Sequence, residues 1–251
     1  MPSGFDREAH LYDGRRGPAA RKEIEALLRV FEKGTRLLDA GGGTGRFALP
    51  LTEAGKTVTV LDRSRGMLAQ ARAKGLPLLV LGDAGQMPFR DGEFEGSLFV
   101  LLLHLVEDWV RAVHELGRVT EGPVAAVVTR REPDLREVYC RSRSELGHPT
   151  GRLDGGVLHL MDLLPPSHVE VISRVRPTVE AGDLFERFEP SASAPPGIHA
   201  EASRRVRERF GTTTVEVVET VSVVSWRSGA LRDLVPVEPG SGPPSPKPRS
   251  S

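Results

Sequence analysis

Cysteine is nearly missing: Cys140 is the only one in 251 residues, and aromatic side chains make up just 5 % of the chain. A single cysteine excludes an intrachain disulfide framework and leaves one thiolate for any metal site, so a reducing, cytosolic setting is expected. Net charge is also missing. Thirty-four Lys and Arg balance 34 Asp and Glu, so no global field draws the protein to nucleic acid or an anionic membrane. Basic residues do not interleave with aromatic ones, which counts against a single-stranded RNA surface. Arg204, Arg205, Arg207 and Arg209 cluster, but Glu201 and Glu208 interrupt them, as on a solvated helix face. Long apolar runs are absent too. Leu98–Leu103 is the longest, well short of the roughly 20 residues of a membrane span. The first residues, Met1 to Glu8, lack a signal peptide's apolar region and carry acids that a transit peptide avoids. The expectation is a cytoplasmic protein with no membrane span.

What is present is an alternation of short apolar runs with amphipathic stretches, at a length suited to roughly one or two domains. Ile24, Leu27, Leu28 and Phe31 follow helical spacing after Pro18, and Gly34 closes that helix. Strands are predicted at Arg36–Asp39, Thr57–Leu61, Leu78–Leu81, Ser97–Leu103 and Val124–Thr129. Helices are predicted near Gly45–Ala54, Ser64–Lys74 and Glu107–Val119. Continuous apolar strands linked by crossover helices imply a parallel sheet covered on both faces, with ligands at the carboxyl ends of its strands. From about Arg130 to Phe210, repeated prolines break the alternation. Within that stretch His168–Val175 reads as a strand and Ile198–Phe210 as a helix. Val215, Val217, Val221 and Val223 then alternate with polar residues over Thr212–Trp226, as in a half-buried antiparallel strand completing the sheet. The Pro-, Ser- and Gly-rich stretch 236–251 reads as a disordered tail.

The first predicted strand runs through Leu37-Leu38-Asp39 into Ala40-Gly41-Gly42-Gly43-Thr44-Gly45-Arg46. A glycine turn opening a helix lets a ligand approach bare backbone at unpaired N–H groups. The dinucleotide fingerprint needs a third glycine three positions after the second; Arg46 stands there, which disfavours a nicotinamide oxidoreductase. Gly41, Gly43 and Gly45 behind Asp39 instead resemble the D-x-G-x-G-x-G motif of the class I S-adenosylmethionine-dependent methyltransferases. An acid at the strand end suits a cationic ligand better than a pyrophosphate.

Two further strand ends extend the resemblance. Asp62 closes the second strand about one βαβ spacing later, where a carboxylate can accept both hydroxyls of a ribose, with Arg63 beside it. Gly82-Asp83-Ala84, followed by Met87-Pro88-Phe89-Arg90-Asp91 and Phe94, is similar to the segment G-D-A-x-x-L-P-F-x-D-x-x-F-D. In that family the acid, here Asp83, faces the adenine amine and the neighbouring N–H, here of Ala84, serves a ring nitrogen. Met67 would touch the base or serve as a core methionine. Phe5-Asp6 through Tyr12-Asp13 is similar to the amino-terminal pattern F-D-x-x-A-x-x-Y-D of the UbiE/COQ5-like (methyltransferase type 11) group. There this segment folds over the cofactor, so Tyr12 is expected to touch S-adenosylmethionine or else to staple the first helix.

The resemblance implies a Rossmann-like, doubly wound α/β fold with a mostly parallel sheet, an antiparallel carboxyl-terminal strand and an irregular substrate-lid insertion. Its expected parts are an amino-terminal helical segment over the cofactor (1–34), a binding core (35–130), an acceptor-binding lid (131–210), a strand completing the sheet (211–235) and the tail. Departures from the family are Gly42 in place of Cys or Ser, Glu121-Gly122-Pro123 in place of Pro-Gly-Gly, and Leu103 in place of the first histidine of L-H-H-L-x-D. The implied activity is methyl transfer to an O, N or C nucleophile of a small, partly apolar molecule. Competing readings are RNA or protein methylation and a non-catalytic sensor of S-adenosylmethionine or S-adenosylhomocysteine. His104 is the candidate base, with a structural role as the alternative. His10 and His148 are weaker candidates. His159 and His168 have no metal-site spacing, and no metal is expected.

Overall fold

The computed structural model describes residues 4–132, 156–176, 178–180 and 214–235, with single positions at 145, 197, 201, 204, 205 and 208. Cys140, His148 and the tail 236–251 lie outside the described residues, as do most of 131–155 and of the helix expected over 198–210. The chain begins with α1 (Gly4–Arg16) and α2 (Arg21–Val30). Then come β1 (Arg36–Ala40), α3 (Ala48–Glu53), β2 (Thr57–Asp62), α4 (Arg65–Ala73) and β3 (Leu79–Leu81), followed by β4 (Gly96–Phe99), α5 (Trp109–Val119) and β5 (Pro123–Glu132). Beyond these lie α6 (Val157–Leu163), β6 (His168–Val175), β7 (Thr178–Glu180), β8 (Thr214–Glu216), β9 (Val218–Arg227) and α7 (Ser228–Arg232).

Seven strands form one sheet in the order β3-β2-β1-β4-β5-β9-β6, while β7 and β8 pair separately. The first five strands are parallel; β9 runs antiparallel to both β5 and β6. Alternate residues on each strand feed two apolar layers, because successive side chains point to opposite faces. On one face Phe99 stacks on Trp226 with ring centroids 6.1 Å apart, beside Leu116 and Val124. On the other, Leu98 packs with Leu27, Phe31 and Leu51. All of these side chains are essentially inaccessible to water, and each such leucine contributes about 2 kcal/mol of burial. Burial on both faces is why these strands read as unbroken apolar runs.

Three boundaries differ from expectation. The apolar run Leu98–Leu103 is only partly strand: β4 ends at Phe99, paired with Ala40. At the next residue β1 turns away, so β4 loses its partner on that side, and its pairing with β5 ends at the same residue. Leu103–Leu105 then forms a 3-10 turn. The helix expected from Gly45 starts at Ala48, because Gly41, Gly43 and Gly45 all hold positive φ and cannot lie within a right-handed helix. Strand β9 is antiparallel as expected, but β6 pairs outside it. The strand read over His168–Val175, within the stretch expected to be a lid, thus joins the sheet as its last strand.

Candidate cofactor site

At the carboxyl ends of β1, β2 and β4 lies a cavity bounded by Tyr12, Gly43, Asp62, Met67, Ala84 and Leu101. Each comes from a different segment, and the parallel order brings the segments to one end. The Asp62 carboxylate is held from both sides. Oδ2 accepts the Gly43 N–H at 2.9 Å, and Oδ1 accepts the Ser64 N–H at 2.8 Å. Ser64 caps α4 through its hydroxyl, which accepts the Met67 N–H at 3.2 Å. This fixes the first turn of α4, and Met67 is nearly buried against the cavity.

Two acids sit here, and neither makes an ion pair among the described residues. Asp39 is 2 % exposed, lies under Gly42, and its Oδ2 has no hydrogen-bond partner. Burial, with the nearby Asp62 charge adding to it, pushes its carboxyl up to about 7. Burial also raises Asp62, against the opposing pull of the Ser64 and Gly43 N–H groups. A cationic ligand in the cavity would relieve both acids, and the bare backbone at Gly43 leaves room for it.

Of the residues singled out in the sequence, Tyr12, Gly41, Gly43, Asp62, Arg63, Met67 and Ala84 border the cavity. Asp39 and Gly45 lie beneath or behind it. A Cβ at Gly45 would meet Leu76 Cδ1 at 2.1 Å, so that glycine serves close helix-to-loop packing. Asp83 is exposed, and its Oδ1 accepts the Gly85 N–H at 2.6 Å, shaping the turn that carries Ala84. His104 is half-buried in the 3-10 turn between the buried Leu103 and the cavity-lining Leu105.

The sequence reading missed several features of the site. Leu101 is the only described non-glycine residue with positive φ, at 55°, and it sits 40 % exposed on the cavity wall. Such a backbone persists only where its surroundings hold it. Leu105, 45 % exposed, extends the same apolar wall. Nothing in the run Leu101-Leu102-Leu103 marks which leucine would turn outward. Arg118 of α5 pins the loop after Ala84, donating to the carbonyls of Met87 and Phe89 and to Asp91 and Glu115.

Helix α1 covers the cavity mostly by polar contacts. Asp6 Oδ1 accepts from the Ser64 hydroxyl at 2.7 Å and the Gly66 N–H at 3.0 Å, adding a second cap to α4. Asp13 accepts from the Thr44 hydroxyl at 2.6 Å and pairs with Lys74. Burial raises the Asp13 carboxyl, but the Lys74 and Thr44 contacts outweigh it and hold the group below its ordinary value. Asp6 and Asp13 flank Tyr12 in the amino-terminal pattern, which was the available signal. Among the described residues, no cluster of three His, Cys, Asp or Glu is arranged to hold a metal, and no helix is long and apolar enough to cross a membrane.

This sheet order, with a glycine turn at β1 and acids at the ends of β1 and β2, defines a class I S-adenosylmethionine-dependent methyltransferase fold. Residues 38–123 match the family described as "Methyltransferase domain". Over that segment, about a third of the chain, the sequence is similar to that family. It is 36 % identical over 143 residues to a malonyl-[acyl-carrier protein] O-methyltransferase of Serratia marcescens, an alignment covering 55 % of each chain. A demethylmenaquinone methyltransferase of a Mycobacterium species is 29 % identical over 191 residues, covering 75 % of this chain and 76 % of that protein. The chain spans between 55 % and 61 % of the length of three malonyl-[acyl-carrier protein] relatives. Among solved structures, a SAM-dependent methyltransferase of Thermotoga maritima shares the fold, with TM-score 0.52, 18 % identity, and 88 % of this chain and 97 % of that one covered.

Proposed function

We propose that this protein transfers a methyl group from S-adenosylmethionine to an oxygen, nitrogen or carbon nucleophile of a small, partly apolar molecule. The observation that carries the reading is the cavity's division into two walls. One wall is polar backbone and acid at Gly43, Asp62 and Ala84; the other is the exposed aliphatic pair Leu101 and Leu105. Relatives named for a malonyl carrier protein and for demethylmenaquinone support an acceptor of this kind.

The cofactor, when bound, supplies a methyl group already activated on a sulfonium. The chain's task is to orient the partners and exclude water. Asp62, preset by the Gly43 and Ser64 N–H groups, would accept the ribose hydroxyls. Asp83 and the Ala84 N–H would serve the adenine edge, Met67 would pack on the base, and Asp39 and Asp62 together would favour the cationic end. Tyr12 on α1 closes the mouth, and Leu101 and Leu105 line the acceptor's approach. His104, on the turn between those leucines, takes the proton of an acceptor that must lose one. The test is incubation of the full chain with S-adenosylmethionine and a panel of small apolar acids, phenols and amines, reading S-adenosylhomocysteine release. Binding of NAD with no binding of S-adenosylhomocysteine would overturn the proposal.

A further inference from the structure

A second cavity, of about 260 Å³, opens where β5, β9 and β6 extend past the rest of the sheet beneath α6. Its inner part is aliphatic, formed by Val128, Leu158, Met161 and Val169. Its outer part carries Arg130 and Arg174 with the hydroxyls of Thr220 and Ser222. The register explains the meeting of the two arginines. Arg130 on β5 and Arg174 on β6 are both paired with Thr220 of β9, one on each side. Their Cα atoms are therefore two strand spacings apart, roughly 10 Å, within reach of two long side chains.

An irregularity in β6 makes this possible. Val169 pairs with Val224 and faces the α6 side, and strict alternation would send Arg174, five residues on, to the opposite face. A bulge between Val171 and Ser173 adds one residue and returns Arg174 to the face of Val169. The nearest strand acid, Glu219, pairs one position away with Arg131 and Val175, so it points to the other face. Neither Arg130 nor Arg174 has an ion pair among the described residues. Two guanidiniums gathered at the end of an aliphatic cavity, with no carboxylate paired to them among the described residues, make a receptor for an anion on an apolar stem.

We infer that Arg130 and Arg174 bind an oxyanion, carboxylate or phosphate, carried at the end of an aliphatic part of the methyl acceptor. The inference rests on the methyl-transfer reading for what the bound molecule is. Ala126 of β5 pairs with Phe99, the last residue of β4, and β5 runs on past that pair toward the end of the sheet where the cofactor cavity lies. Arg130 and Arg174 therefore stand at the same end of the sheet as the cofactor cavity, on strands one and three spacings from β4, roughly 5 and 14 Å across the sheet. The acceptor would place its reacting atom near Leu101 and its anionic end at the arginine pair.

The test measures octanoate, octyl phosphate and octanol binding to the full chain by calorimetry, with and without S-adenosylhomocysteine. At least one anion should bind about ten-fold more tightly than octanol, and the stronger anion identifies carboxylate or phosphate. The double variant R130Q/R174Q should lose that preference and keep its octanol affinity. Equal binding of anions and alcohol, or a preference that survives in R130Q/R174Q, would overturn the inference. Both arginines are exposed, so the variant should keep the wild-type unfolding midpoint and S-adenosylhomocysteine affinity. Failure of the wild type to bind S-adenosylhomocysteine would count against the methyltransferase reading, while the anion preference tests the arginine subsite separately.

Discussion

The two sides of the sheet solve different problems. On the β3-β2-β1-β4 side, strands are short and parallel, and each ends in a turn that presents an acid or a backbone group to one cavity. On the β5-β9-β6 side, two strands of 10 residues and one of 8 run on past that level, and their outer ends build a cavity from side chains. The first side offers a ligand fixed backbone geometry, which tolerates few substitutions. The second offers exposed side chains on a regular ladder, where single residues can change without disturbing the frame. A cofactor site needs the first arrangement, and a site for a variable acceptor suits the second.

The largest expected break is on the first side. Gly45→Val puts a branched residue at φ 76° with its Cβ 2.1 Å from Leu76 Cδ1, and should lower stability by about 3 kcal/mol in urea unfolding. A midpoint near wild type would show that the turn is more pliable than described. Next, Asp62→Ala removes the acceptor held by the Gly43 and Ser64 N–H groups. Calorimetry should show S-adenosylhomocysteine affinity falling about 100-fold; a drop of only about two-fold would remove Asp62 from ribose recognition.

A pH series sharpens the same side. Asp39 titrates near 7 in the folded chain against an ordinary value of 3.8, so the folded state keeps the proton after the unfolded state has lost it. Stability should therefore fall as pH rises from about 4 to about 7 and level off above that. A cationic cofactor favours the ionised carboxylate, so S-adenosylmethionine affinity should rise over the upper part of that window. Asp39→Asn should flatten both profiles; an unchanged slope would place the titration elsewhere. The smallest effect concerns α1. Asp6→Ala removes one cap from α4, costing about 1 kcal/mol. Hydrogen exchange should show α1 opening more often while the sheet amides keep their protection. Uniform loss of protection would mean that α1 is part of the core rather than a cover.

Legibility in the sequence follows the same division. Asp39, Gly41, Gly43 and Gly45, then Asp62 and Gly82-Asp83-Ala84, stood out because backbone-built sites demand particular residues at particular spacings. The strand at His168–Val175 was readable from its own pattern, yet its place at the sheet edge was not. Nor could local pattern say that the run Leu98–Leu103 would stop pairing at Phe99, since that depends on β1 turning away at Gly41. Similarly, Arg118 reads as an ordinary surface residue of an amphipathic helix, although it holds the loop carrying Ala84.

From sequence alone came the α/β class, the positions of the cofactor-side strands along the chain and the chemical character of the expected cofactor, because local spacing encodes turns and strand ends. Tertiary structure alone decided that Asp39 would be buried as an unpaired acid, that Leu101 would turn into the cavity, and that β6 would lie outside β9. It also brought Arg130 and Arg174, 44 positions apart in the chain, to either side of Thr220. Burial, register and a one-residue bulge are relations between segments, and no single segment's pattern contains them.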